Sequence, residues 1–204
     1  VRRQSCATGL IVDVVADGRR YLEDLPDGVL LREADVSPEV FAHAGTVVLR
    51  LQQPPEVALK AARAAGGRVV IDGAPERLRD ELLACADVVR ADHREAELLS
   101  GRKITGGAED AVSAAREAME HGPRLVAFAV DGVGTVFVWD EGELVVPLGD
   151  VEKVDTTGGG DAFVAALTFA LSRGDRPADA ARLAVKASRD TITRPGGQQK
   201  LTGR

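Results

Sequence analysis

Three consecutive glycines run straight into an aspartate, Gly158-Gly159-Gly160-Asp161, inside the stretch VEKVDTTGGGDAF (151–163) and directly ahead of the apolar run VAALTFAL. Glycines remove side chains, so backbone N–H groups can come close to an anion. A helix starting there adds unpaired N–H donors and the positive end of its dipole. Gly158, Gly159 and Gly160 therefore read as an anion cradle, and Asp161 as a carboxylate in the first turn of the helix. That pairing fits phosphoryl transfer: the cradle stabilises charge on the transferring group while the carboxylate takes the proton of an attacking hydroxyl. A plainer reading makes the same residues a glycine loop whose aspartate only complements the helix dipole. Neither a GxxxxGK[ST] phosphate loop nor a GxGxxG dinucleotide fingerprint is present.

The elements that must hold this loop are legible in the apolar pattern. GLIVDVVADGRRYLEDL reads as two extended segments around a turn at Asp17-Gly18. Short apolar runs at 46–51, 68–72, 87–91 and 124–130 read as buried strands, and 75–86, 93–101 and 107–122 as helices. PPEVALKAARAAGG carries Pro at its start and Gly at its end, as a helix does. GTVFVWDEGELVVPL reads as two strands joined at Asp140-Glu141-Gly142, and helices over about 160–173 and 177–193 follow. Strands that are continuously apolar and alternate with helices predict an α/β fold in three layers, a mostly parallel sheet flanked by helices on both faces. Ligands of such sheets bind beyond the carboxyl ends of the strands, where loops lead into helices, and residues 155–161 sit at such a junction. No repeat, low-complexity segment or linker divides the 204 residues, so residues 1–204 read as a single domain.

Composition narrows the function. Apolar residues make up 45% and aromatic ones 3%, so a sizeable core is built mainly from Ala, Val and Leu. A net charge of −6 argues against a general nucleic-acid binder. Cys6 and Cys85 have no CxxC spacing, which favours a reducing, cytoplasmic setting over a disulfide framework. His43, His93 and His121 are scattered and form no zinc pattern. No apolar run nears the ~20 residues of a membrane span, and the N-terminus lacks a signal-peptide core.

The stretch DTTGGGDAF closely resembles the signature of the ribokinase-like (PfkB-type) carbohydrate kinases, usually DTTGAGDAF, with Gly159 at a position where Ala is common. ADHREAELLSG resembles the family's N-x-x-E stretch, AFAVDGVGTVFVW its T-x-G-x-x-G strand and turn under the nucleotide, and ADAARLAVKASRDTITRPGG its closing helix and loop. The resemblance implies that Asp161 is the catalytic base and that Gly158, Gly159 and Gly160 receive the γ-phosphate. It implies ATP and Mg²⁺ as cofactors, with Glu95 helping to hold the metal, and a monovalent cation such as K⁺ near Asp155, Thr157, Arg194 and Gly196. Glu95 has a structural reading as well, as partner of Asp92 in a helix-capping box, and the two roles are compatible. Arg194 reads equally as a solvated surface charge.

Asp92, Asp131, Gly132 and Gly134 fall on the nucleotide-side motifs, with two departures from the pattern. Asp92 stands where the family has Asn, and Asp131 replaces the first glycine, preceded by Ala129 in place of Thr. Like charges about 4 Å apart repel by ~4 kcal/mol at an effective dielectric of 20, so relief by metal, by a nearby arginine or by outward-pointing side chains is expected. A second difference is length, since family members run to about 300 residues. The match begins inside the family pattern, without the N-terminal strands, the sugar-contacting Gly-Gly and Asn motifs and much of the β lid. The first residue is not Met, which favours a fragment over a short homologue, and a sheet lacking its first strands is expected to expose edge and core surface.

The resemblance thus implies ATP-dependent phosphorylation of a hydroxyl on a small sugar or sugar derivative; charge and hydropathy argue against a nucleic-acid or membrane partner, and a homodimer is left open. A nucleoside kinase of the same family and a non-catalytic nucleotide-binding remnant are the alternatives. A metal-dependent hydrolase built on Asp131, Asp155 and Asp161 lacks accompanying His ligands and tight spacing.

Overall fold

Three short apolar runs, TVVLR, RVVID and VVRA, end on or next to a charged residue, and parallel pairing aligns those ends. In the computed structural model, which describes residues 7–196 apart from 17 and 27, six strands form one sheet in the order β3-β4-β5-β6-β7-β8. These are β3 (Thr46–Arg50), β4 (Arg68–Asp72), β5 (Val88–Ala91), β6 (Leu125–Val130), β7 (Gly134–Trp139) and β8 (Gly142–Val146). β3 to β6 pair in parallel, and β7 and β8 continue the sheet antiparallel. The expected mostly parallel, three-layer α/β architecture is what the chain adopts. A separate antiparallel ribbon, β1 (Leu10–Ala16) with β2 (Gly18–Asp24), precedes the sheet. Cys6 and Asp17, where a turn was expected, lie outside the described residues.

Because parallel neighbours follow one another in sequence, every crossover must pass over the same face if all share one hand. Helices α2 (Pro55–Ala64), α3 (Arg79–Leu83), α4 (His93–Ser100) and α5 (Gly107–Met119) accordingly pack on one face, against Val69, Ile71, Val89, Val126 and Phe128. The opposite face, carrying Val70, Val88, Ala127 and Phe137, is covered by α6 (Gly159–Ser172) and α7 (Pro177–Ile192). Strand residues alternate between the two cores, as the period of two requires. A fully buried side chain such as Leu167 contributes ~1.5–3 kcal/mol to holding α6 there.

One expectation needs correction, and two short elements are new. The helix expected over 75–86 forms only at Arg79–Leu83, because Leu78 takes a left-handed conformation (φ 60°) and starts the helix late. The short helix α1 (Pro38–Ala42) and a 3₁₀ turn at Glu33–Asp35 were not legible as periodic runs. Among the described residues no helix is long and apolar enough to cross a membrane.

Candidate active site

The carboxyl ends of β3, β4 and β5 place Arg50, Asp72 and Arg90 side by side, since the strand register pairs Arg50 with Asp72 and Asp72 with Arg90. Arg50 Nη1 donates to Asp72 Oδ2 at 2.6 Å, and Arg90 Nη1 donates to Asp72 Oδ1 at 3.0 Å. Asp72 is only 4% exposed, so both of its oxygens are matched where an unpaired charge would be costly. The row faces the same side of the sheet as α6 and α7.

Helix α6 runs back across that side. At its far end Ser172 Oγ lies 3.1 Å from Thr46 Oγ1, and at its start Asp161 Oδ1 accepts from Arg50 Nη1 at 2.9 Å. The first turn is pinned by Phe163, which stacks on Phe137 with ring centroids 5.8 Å apart, while Arg90 lies over the Phe163 ring at 5.9 Å. Asp161 is thereby held at the open end of the strands with 67% of its side chain exposed.

Gly158 caps the helix with φ 74°, a conformation that a side chain would strain. The first helical hydrogen bond runs from Ala162 N–H to Gly158 O, and the amides of Gly160 and Asp161 make no bond to the described residues. Gly160 also lies beside Arg90, whose Nη1 would be 3.4 Å from a Cβ placed there. Gly159 departs from the expected cradle. Its N–H donates to Thr156 O at 3.3 Å, it is buried, and a Cβ would come within 2.6 Å of Ile192 Cγ2. The amides left without a bond to the described residues therefore follow Gly159, whose missing Cβ leaves room for Ile192 of α7.

Asp92 and Glu95 form the complete capping box of α4: Glu95 N–H donates to Asp92 Oδ1 at 2.9 Å, and Asp92 N–H donates to Glu95 Oε2 at 2.8 Å. Burial pushes the Glu95 carboxyl above the ordinary glutamate range, the bond from Asp92 N–H partly opposing it. Its Oε1 is 3.4 Å from where a Cβ on Gly73 would lie, at a pocket of about 60 Å³ that Arg50, Asp72 and Arg90 also line.

A larger cleft of about 570 Å³ adjoins this row, with Arg90 common to both. Asp92, Asp131, Gly132 and Gly134 all line it, as does Lys153. Arg90 and Lys153 are the arginine and lysine of that lining. The Asp131 N–H donates to His93 Nδ1 at 3.2 Å, tying the turn after β6 to the start of α4. A cleft of about 290 Å³ at the opposite end of the strands, around Arg68, Asp87 and Trp139, has no glycine cradle.

Asp155 joins the glycine loop to the last loop. Its Oδ1 accepts from Thr157 N–H at 2.9 Å and its Oδ2 from Gly196 N–H at 3.0 Å. Arg194 is exposed in the same loop and its N–H donates to Thr191 O. Among the described residues no cluster of three His, Cys, Asp or Glu side chains forms a self-contained metal cage. Sequence reasoning brought Asp161, Glu95 and the glycines together but missed Arg50, Asp72, Arg90 and Lys153. The available signal was the charged residue at the end of each of three apolar runs, TVVLR, RVVID and DVVRA, which becomes a row only once the register is known.

Residues 34–202 match the family described as pfkB family carbohydrate kinase. Ribokinase of Staphylococcus aureus is 31% identical over 168 residues, covering 80% of this chain and 55% of that protein. The 1-phosphofructokinase of Haloferax volcanii is 33% identical over 180 residues, covering 84% and 58%. The crystal structure of ribokinase from Thermotoga maritima superimposes with a TM-score of 0.81 at 25% identity, covering 93% of this chain and 65% of that one. The chain spans a little over half the length of the curated relatives it matches.

Proposed function

The chain belongs to the pfkB family of carbohydrate kinases, and from that premise we propose that its cleft serves ATP-dependent transfer of a phosphoryl group to a hydroxyl of a small sugar or sugar derivative. The observation that carries this reading is Asp161: an exposed carboxylate in the first turn of α6, beside two amides that make no bond to the described residues. In the reaction Asp161 takes the proton of the acceptor hydroxyl, the acceptor oxygen bonds to the γ-phosphorus, and the bond to the β,γ-bridging oxygen breaks to release ADP. The amides of Gly160 and Asp161 and the positive end of α6 stabilise charge on the γ-phosphoryl oxygens. Arg90, against Gly160 and lining the nucleotide-side cleft, adds a fixed positive charge there.

Mg²⁺ fits a site that offers one carboxylate and substrate phosphates, because this ion keeps several waters and needs few protein ligands. Glu95, half-buried and with its carboxyl pushed up by burial, is the residue that would hold it, through water. When bound, the metal would supply positive charge to the polyphosphate. The loop pairing of Asp155, Thr157 and Gly196, with Arg194 beside it, supports the reading of a monovalent-cation site such as one for K⁺.

The test is ADP release by the full chain with Mg·ATP across pentoses, hexoses, sugar phosphates, sugar acids and nucleosides. One sugar class should raise ADP release well above the acceptor-free rate, and Asp161→Asn should lower turnover by about 10²–10⁴-fold. Full turnover in Asp161→Asn sinks the assignment of the base. ATP binding without acceptor-dependent ADP marks the chain as a nucleotide-binding remnant.

A further inference from the structure

Asp161 is the kind of side chain that ordinarily turns freely, exposed and in the first turn of a helix. The contact that restrains it comes from the end of β3, from Arg50 Nη1 at 2.9 Å, and Arg50 is itself 43% exposed. The same nitrogen donates to Asp72 Oδ2 at 2.6 Å. A guanidinium Nη carries two N–H bonds, so Nη1 serves both carboxylates, one hydrogen each. Asp72 does not yield: it is 4% exposed, sits at a strand end, and is held from the other side by Arg90.

We infer that Arg50 is a positioning residue for the general base, anchored by the buried carboxylate of Asp72, and that it fixes Asp161 in one rotamer with Oδ1 held and Oδ2 left for the acceptor hydroxyl. The orientation stands on the geometry alone; its use in proton abstraction rests on the phosphoryl-transfer reading above. Rigid donors on strand ends suit this task, since a carboxylate misplaced by an ångström loses the near-attack geometry. Arginine suits it better than lysine, because a planar guanidinium directs its N–H bonds where an ammonium is a point charge.

The experiment uses the full chain labelled with ¹³C and ¹⁵N and reads the three-bond N–Cγ and C′–Cγ couplings of Asp161, which report its χ1 populations. In the wild type they should show one dominant rotamer. In Arg50→Met, which keeps the apolar stem and removes both donors, they should average over rotamers, and Arg50→Lys should fall between. If Arg50→Met does not fold, Arg50→Gln, which keeps a donor for Asp72, is read in the same way. Averaged couplings in the wild type, or one unchanged rotamer in Arg50→Met, would overturn the inference.

With an acceptor identified by ADP release, Arg50→Met should lower kcat by about 10- to 100-fold, with acceptor KM changed by less than about three-fold. Partial recovery in Arg50→Lys is expected. A raised acceptor KM with kcat intact would make Arg50 an acceptor-binding group and overturn the positioning role. Absence of turnover with every acceptor removes the kinase reading, while the couplings still decide the orientation.

Discussion

Glu95 carries two demands at one carboxyl group. Its Oε2 completes the capping box by accepting from Asp92 N–H, and burial raises its pKa above the ordinary value of 4.5. A raised carboxyl pKa means that the folded chain keeps a proton the unfolded chain has already released. Stability therefore declines as pH rises from the ordinary glutamate range through the raised folded value, the full penalty being present above it. Glu95→Gln should flatten that decline, measured by denaturant unfolding between about pH 4 and 7, because the amide oxygen can still accept from Asp92 N–H. The same variant should raise the Mg²⁺ concentration needed for half-maximal ATP binding. A wild-type stability that rises across this interval, with the variant parallel to it, would show that other carboxylates dominate. The sequence placed Glu95 and Asp161 in the first turns of two helices, and the structure has them there. Arg50, Asp72 and Arg90 were not legible there, because nothing local distinguishes a functional charge at a strand end from a solvated one. Their meaning comes from a register that joins residues 22 and 18 positions apart.

At the scale of elements, alternation of apolar runs and turn residues made almost every strand and helix readable, and the losses have local causes. Left-handed Leu78 shortened α3, and α1 is too brief, at five residues, to show a period. What the sequence could not show is how closely α6 and α7 approach. The glycine run read as a uniform cradle of three glycines. Instead Gly159 is where the first turn of α6 meets the end of α7, with Ile192 Cγ2 at 2.6 Å and Ser188 Oγ at 3.4 Å from a Cβ position. Ile192 is 6% exposed and its Cγ2 branches next to the backbone, so it cannot swing aside as a long side chain would. Gly159→Ala should therefore cost about 1–3 kcal/mol by overpacking. Ile192→Ala should relieve the clash, making the double variant more stable than the two single losses summed. Thermal or urea unfolding of the four proteins checks this. Strict additivity would mean that the helices separate easily enough to admit the methyl.

For the molecule as a whole, the sequence announced the three-layer architecture. Among the described residues β3 ends the sheet, and one side of its backbone has no strand partner there. On the face shared with α6, Val48 is 46% exposed although Val70, its neighbour across the register, is fully buried. Phe169 on α6 is 59% exposed, covered on one side by the Arg173 guanidinium at 5.2 Å. Leu10 and Leu22 of the β1–β2 ribbon are 58% and 60% exposed. An unpaired parallel edge beside exposed apolar side chains is a surface that recruits another chain. The isolated 204-residue chain should therefore show a weight-average mass that climbs with concentration in sedimentation equilibrium, even though its net charge of −6 opposes association. Raising salt should strengthen the association, by screening that repulsion while leaving the apolar contact in place. Val48→Lys with Phe169→Glu should shift the chain towards the monomer without loss of helix content, because both side chains already face solvent. A wild type that stays monomeric at every concentration would show that the β3 edge and its apolar neighbours are shielded in solution, and an association that weakens with salt would place the contact in charged groups elsewhere.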